Sequence, residues 1–260
     1  MGYLIGVLIF LFGTIIGSFL NVCIYRLPLG RSIVLSASSC PACGKRLGAI
    51  DLVPVLSYIV LGGKCRRCKE KISAVYPAVE ALTGVLYLLL YIKFGLVPVL
   101  PVYAALVSLL IVIAFIDYSH MEIPNGLVIA GLVLGVVQLT VTLTTGVFDV
   151  WHSYVIGFFA GALPLFLIAL IGSVLLKKEA MGGGDIKMMA FCGLIIGWKL
   201  LIPAYLIGII AGAIASLILM AAGIKKRGDA IPFGPFLALG VTASIFFGNK
   251  LIDWYLGLMG

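Results

Sequence analysis

Of the 260 residues, 63% are hydrophobic and 11% charged, with a mean hydropathy of +1.24. Soluble domains run about 45–50% apolar and about 25% charged, so the composition excludes a soluble globular fold and implies an all-α polytopic membrane protein. The net charge of +8 invites a nucleic-acid partner, but no basic helix with interleaved aromatics appears, and topology accounts for the charges.

A span needs roughly 20 predominantly apolar residues. Eight candidates follow one another: 3–25, 74–93, 96–116, 125–145, 153–176, 186–198, 200–223 and 236–257. The sixth is short. The first is a retained helix and not a cleavable signal, because it lacks a basic start and meets Arg26 and Arg31 only after its apolar run. The glycine pairs Gly13 and Gly17, Gly157 and Gly161, and Gly208 and Gly212 match the small-residue pattern of helix contacts.

Between the first two spans lies the one sizeable polar segment, 26–73, which contains SSCPACGKRL and GGKCRRCKEKIS. Cys40 and Cys43 form one C-x-x-C, Cys65 and Cys68 another, with 21 residues between the pairs. That spacing is close to the pattern in which each pair supplies two thiolates to one tetrahedral zinc. The alternatives are two disulfides or a redox pair. Disulfides are disfavoured on a cytoplasmic face, and redox C-x-x-C motifs come singly in a βαβ setting. A closed four-cysteine shell makes the expected zinc structural. Cys23 and Cys192 sit alone in apolar segments and read as small buried hydrophobes.

Orientation follows from lysine and arginine. With eight spans, the even-side connections 26–73, 117–124, 177–185 and 224–235, together with Lys187, hold 15 of the 18 basic residues. Lys177, Lys178 and the cluster Lys225, Lys226 and Arg227 are among them. Lys93, Lys199 and Lys250 fall on the other side. The N-terminus is therefore expected outside and the basic loops in the cytoplasm.

Parity puts two acids on that same cytoplasmic boundary. Asp117 ends the third span in IVIAFIDYSHMEIPNG, where Pro124 interrupts the backbone and Asn125 can cap the next helix. Asp185 opens the sixth, after Gly182, Gly183 and Gly184. An acid at membrane depth costs about 2.5–3.5 kcal/mol by insertion scales, which makes it a candidate functional group. The other reading is an interfacial acid facing headgroups or capping a helix. Glycine backbone lets an extended peptide approach closely and leaves N–H groups free to bind it. Two carboxylates a few ångströms apart do not both ionise, and such a pair suits aspartyl hydrolysis: one acid is the general base on water, the other polarises the scissile carbonyl.

The ordered set GSFLNVCIYRLP at 17–28, the four-cysteine loop, YPAVEALTG at 76–84, IDYSHMEIPN, MGGGDIKMMA at 181–190 and IPFGPFLALG at 231–240 resembles the type 4 prepilin peptidases. These belong to the G-x-G-D membrane aspartyl proteases. The resemblance implies cleavage of a short basic leader from prepilins or pseudopilins, as in pilus assembly or type II secretion, at the cytoplasmic face of a bacterial inner membrane. It also implies N-methylation of the new N-terminus with S-adenosylmethionine as methyl donor. By motif position the catalytic residues are Asp117 and Asp185. Asn125 departs from many relatives, which have aspartate there; the pair is left intact. The implied organisation is a first transmembrane helix at 1–25, a zinc-binding loop at 26–73 and a peptidase bundle at 74–260. A presenilin-like intramembrane protease is the alternative enzyme, and the cysteine loop and IPFGPF speak against it. An ion or solute transporter is the alternative outside enzymes, but transporter sites lie nearer the midplane.

No G-x-G-x-x-G follows a strand, so the residues mark no S-adenosylmethionine site. Glu80, about two turns inside the second span, holds the methyl-accepting amine or the substrate's acidic residue, or else pairs with a neighbouring helix. His120 and Glu122 lie near enough in sequence to tune Asp117, although polar loop residues are usually just solvated. Pro232 and Pro235 in IPFGPF read as a rigid bend.

Overall fold

The computed structural model describes residues 2–34, 38–145, 151–176, 181–226 and 229–259. Lys177, Lys178 and Arg227 lie outside the described residues. Among those described there are helices and isolated bridges but no strand. Seven helices are long and apolar enough to cross a membrane. They are α1 (Gly2–Arg26), α3 (Val75–Phe94), α4 (Val99–His120), α5 (Asn125–Thr144), α6 (Trp151–Leu176), α7 (Gly183–Ala221) and α8 (Gly234–Met259), while α2 (Leu56–Val60) is a short helix in the polar segment.

The count of seven against the expected eight comes from α7. Its 39 residues run through both the sixth and seventh expected spans, and Gly197, at φ 78 and ψ 163, breaks the regular helix next to the end of the sixth. Glycine reaches that conformation without the Cβ penalty other residues meet.

The chain separates into two compact units, Met1–Val112 and Ile113–Gly260. In the first, α1 packs along α3. A Cβ on Gly13 would lie 2.8 Å from Gly84 Cα, and one on Gly17 would lie 2.6 Å from Glu80 Cα. Lipid tails are as apolar as the helices, so close backbone approach and not hydrophobic burial holds such a pair. Tyr87 Oη and Ser108 Oγ, 2.9 Å apart, add a buried polar link between α3 and α4.

In the second unit α7 is the central helix, packed by α5, α6 and α8. Cβ atoms on Gly157 and Gly161 would collide with the backbone carbonyls of Gly193 and Met189, and one on Gly208 would lie 3.0 Å from the Phe236 carbonyl. All three small-residue pairs of the sequence are therefore contact surfaces.

Candidate active site

Asp117 sits in the last turn of α4. That helix ends when Met121 turns left-handed, at φ 54, while its N–H donates to the Asp117 carbonyl at 2.8 Å. The Asp117 side chain is 6% exposed. Its Oδ2 accepts a hydrogen bond from the Gly234 N–H at 3.0 Å. Gly234 is the first residue of α8, so this donor has no intrahelical partner and lies at the positive end of the helix. A Cβ on residue 234 would stand 2.7 Å from Asp117 Oδ2 and 3.1 Å from its Cγ, so any larger residue would press on the Asp117 carboxyl. The bend expected at IPFGPF is thus a helix start aimed at an acid. Pro235 in the first turn, where a missing N–H costs nothing, signals the start; its target, 117 residues earlier, has no local signature.

Asp185 occupies the first turn of α7 and is 8% exposed. Its Oδ1 is buried with no hydrogen-bond partner. Asp117 is near enough to act on it electrostatically, so the structure brings together the two acids that span parity placed on one face. The three glycines play unequal parts. None has a positive φ; Gly182 is the N-cap, and Gly183 and Gly184 begin the helix. A Cβ on Gly184 would meet Ile123 Cβ at 2.9 Å, whereas one on Gly183 would meet nothing within 4 Å. The Asp185 N–H donates to the Gly182 carbonyl at 3.2 Å, whereas the N–H groups of Gly183 and Gly184 have no carbonyl one turn earlier in the helix.

Asn125 does not cap α5. Pro124 holds the cap position with no side-chain cap bond, and Asn125 is the first helical residue. A proline there cannot present a side-chain acceptor, and the Asn125 amide is engaged elsewhere: its Oδ1 accepts from Lys187 Nζ at 3.1 Å. This bond ties the start of α5 to the start of α7, two residues after Asp185. His120 and Glu122 are exposed.

Glu80 is buried in α3 against Gly17 of α1. Its Oε2 accepts from the Val55 N–H at 2.7 Å, and the Ser18 hydroxyl also bonds it. Val55 stands at φ 61, a strained value for a β-branched residue. Nearby, Asn21 Nδ2 donates to the Tyr76 carbonyl at 3.0 Å. The carboxylate therefore anchors the polar segment to the α1 and α3 pair. Of the readings open in the sequence, partnership within the protein is the one with a visible partner.

The four cysteines Cys40, Cys43, Cys65 and Cys68 converge, their sulfurs all within 4.8 Å of one another. Cys40 Sγ and Cys68 Sγ are 3.8 Å apart, too far for a disulfide of about 2.05 Å. That separation is close to the ~3.8 Å edge of a tetrahedron with ~2.3 Å zinc–sulfur bonds. Each pair sits in the same knuckle. The Cys40 N–H donates to the Lys45 carbonyl at 3.0 Å, the Cys65 N–H to the Glu70 carbonyl at 2.8 Å, and antiparallel bridges flank both pairs. The residue after each second cysteine is left-handed: Gly44 at φ 68, Lys69 at φ 61. The N–H groups of Cys68 and Arg67 pull the Cys65 thiol down to about 6, while burial and the neighbouring cysteines push the Cys68 thiol up to about 11. Arg66 Nε donates to Asp51 Oδ1 at 2.7 Å and, with the Gly48 N–H, holds that carboxyl below its usual range. The cluster can hold a metal ion, and its all-sulfur donors suit zinc.

Two family models match the chain: the bacterial peptidase A24 N-terminal domain over residues 11–94, and the Type IV leader peptidase family over 104–217. Among curated proteins, the prepilin leader peptidase/N-methyltransferase of Bacillus subtilis is 34% identical over 96% of this chain and 97% of its own length. The Pseudomonas putida protein of the same name is 31% identical over 95% and 92%, and that of Legionella pneumophila 33% over 95% and 93%. No solved structure matches. The family model that covers the two acids and the relatives that span nearly the whole length agree: the chain belongs to the type IV leader peptidase family.

Proposed function

We propose that this chain cleaves the leader of prepilin-type substrates by an aspartyl mechanism in which Asp117 and Asp185 share the work. The observation that carries the reading is the unequal surroundings of two buried, interacting acids. Both acids stand at a helix start, but Asp117 Oδ2 accepts the Gly234 N–H, which favours its charged form, while Asp185 Oδ1 has no donor. Asp117 is therefore the carboxylate and Asp185 the protonated acid.

A water oxygen adds to the scissile carbonyl carbon and passes a proton to Asp117, while the Asp185 proton moves to the carbonyl oxygen. As the tetrahedral intermediate collapses, Asp117 returns its proton to the departing amine and Asp185 recovers one from the hydroxyl. The open space beside Gly183 and the N–H groups of Gly183 and Gly184 at the start of α7 suit an extended peptide at the scissile position.

The cytoplasmic placement of this site rests on the basic asymmetry of the loops, 15 of 18 residues on one side. Zinc in the four-cysteine cluster would be structural, holding the ends of the polar segment together. Methylation of the exposed amine, with S-adenosylmethionine as donor, rests on the relatives' name. Glu80 is engaged by the Val55 N–H and the Ser18 hydroxyl. The test is incubation of the detergent-solubilised protein with a leader-bearing prepilin, followed by mass spectrometry of the product. Loss of the leader mass is expected, with a further methyl-sized gain when the donor is added. An unchanged substrate mass refutes the peptidase reading.

A further inference from the structure

Outside the spanning helices, large apolar side chains should be covered. In the polar segment they are not. Ile50, Leu52, Val53, Leu56, Ile59 and Val60 are all exposed, three of them heavily: Ile50 at 73%, Ile59 at 66% and Val60 at 80%. They run from the 3₁₀ turn Ala49–Leu52 through α2, a contiguous strip of the kind that marks an interaction surface.

Two observations say what covers it. The first is depth. Val55, in the middle of the strip, is bonded to Glu80, five residues or about 7.5 Å into α3. The strip thus lies level with the beginning of a membrane-spanning helix whose Leu82 and Val85 are exposed on its outer side. The second is charge. Lys64, Arg67, Lys69 and Lys71 next to the strip are exposed, and of the acids nearby Asp51 is already engaged by Arg66, leaving Glu70. An apolar edge flanked by excess basic charge, at the level of a helix end, has the makeup of a segment seated in the interface of an anionic bilayer.

We infer that residues 50–60 form a membrane-docking edge, with Ile50, Leu56, Ile59 and Val60 in the headgroup and acyl boundary and the neighbouring lysines and arginines among anionic headgroups. The four-cysteine knuckles are thereby held flat against the bilayer that the helices cross, not free above it. This inference does not depend on the peptidase reading, since it concerns a surface remote in sequence from Asp117 and Asp185.

The test uses the full chain in nanodiscs of phosphatidylglycerol and phosphatidylethanolamine, with photoreactive benzoylphenylalanine at position 59 or, as control, at the exposed position 45, which the docking edge does not include. After irradiation, mass spectrometry should find lipid adducts at 59 at least tenfold more often than at 45. A second measurement guards against a perturbed variant: a tryptophan at position 60 should be quenched by lipids brominated near the headgroup end of the acyl chain. Equal adduct yields at the two positions, or an unquenched tryptophan, overturn the inference. So does a main adduct at 59 to the chain itself or to an added prepilin peptide, which would make the strip an internal or substrate contact.

Discussion

Replacement of Gly234 by alanine is the perturbation most closely set by the geometry. The added Cβ would stand 2.7 Å from Asp117 Oδ2, where ordinary contact begins at 3.4 Å, so carboxylate or helix must yield by the difference, about 0.7 Å. A misplacement of roughly 1 Å at a catalytic group costs up to about 100-fold, so kcat should fall about 10- to 100-fold, or about 1.4–2.7 kcal/mol in the barrier. The hydrogen-bond donor at 234 is kept and no charge is changed, so KM should change less than about threefold. The assay is steady-state cleavage of a leader-bearing peptide in detergent, with kcat and KM separated. Gly257→Ala serves as the control on the same helix, because nothing lies within 4 Å of a Cβ there. If Gly234→Ala keeps kcat within twofold of the parent, Asp117 is not held by this contact and the assignment of the two acids loses its basis.

Four further outcomes are expected. Asp117→Asn and Asp185→Asn should each lower cleavage by on the order of 10³-fold or more, and the double variant little further, because residues that act as a unit are non-additive; retained cleavage in either folded single variant removes the dyad. Freshly purified, reduced protein should carry one zinc per chain by elemental analysis; Cys40→Ser and Cys65→Ser should lose it while Cys23→Ser keeps it, and protein purified without metal would sink the zinc reading. Lys69→Gly, which relieves a left-handed lysine, should raise the stability of the metal-bound loop by roughly 1 kcal/mol, read as slower proteolysis within 26–73; a decrease would count against the strain. Glu80→Ala should expose the Val55 amide to hydrogen exchange, a loss of roughly 1.5–3 kcal/mol of local protection, whereas Glu80→Gln keeps an acceptor; if that variant also keeps methyl transfer, Glu80 serves only as an anchor.

Much of the fold is legible in the chain because lipid imposes simple rules. Long apolar runs gave the spans, and small residues four apart gave the faces of close contact, as Gly157 and Gly161 against Gly193 and Met189 bear out. Parity of the spans put Asp117 and Asp185 at the same boundary, and the fold brings them near each other. Three features stayed out of reach for reasons of distance or degeneracy. The bond from Gly234 to Asp117 joins residues 117 apart, and nothing local to either announces the other. Asn125 matched a capping residue by type, but its partner, Lys187, lies on another helix. Glu80 was visible as an expensive buried acid, while its partner is a main-chain N–H in a strained turn, which carries no side-chain signature.

The break in α7 makes that helix a lever. Gly197 is twelve residues from Asp185, and at about 1.5 Å per residue the arm between them is roughly 18 Å long. A tilt of only about 3° at the glycine swings the carboxylate by roughly 1 Å, as much as separates a productive from an unproductive acid pair. The break thus sets the direction in which the half-helix carrying Asp185 runs, and at its far end a Cβ on residue 197 would lie 2.9 Å from Ser153 Oγ on α6. Substitutions at Gly197 or Ser153, well away from any peptide, should register as changes in kcat, and a search for cleavage-defective variants confined to the neighbourhood of the acids would overlook the fulcrum.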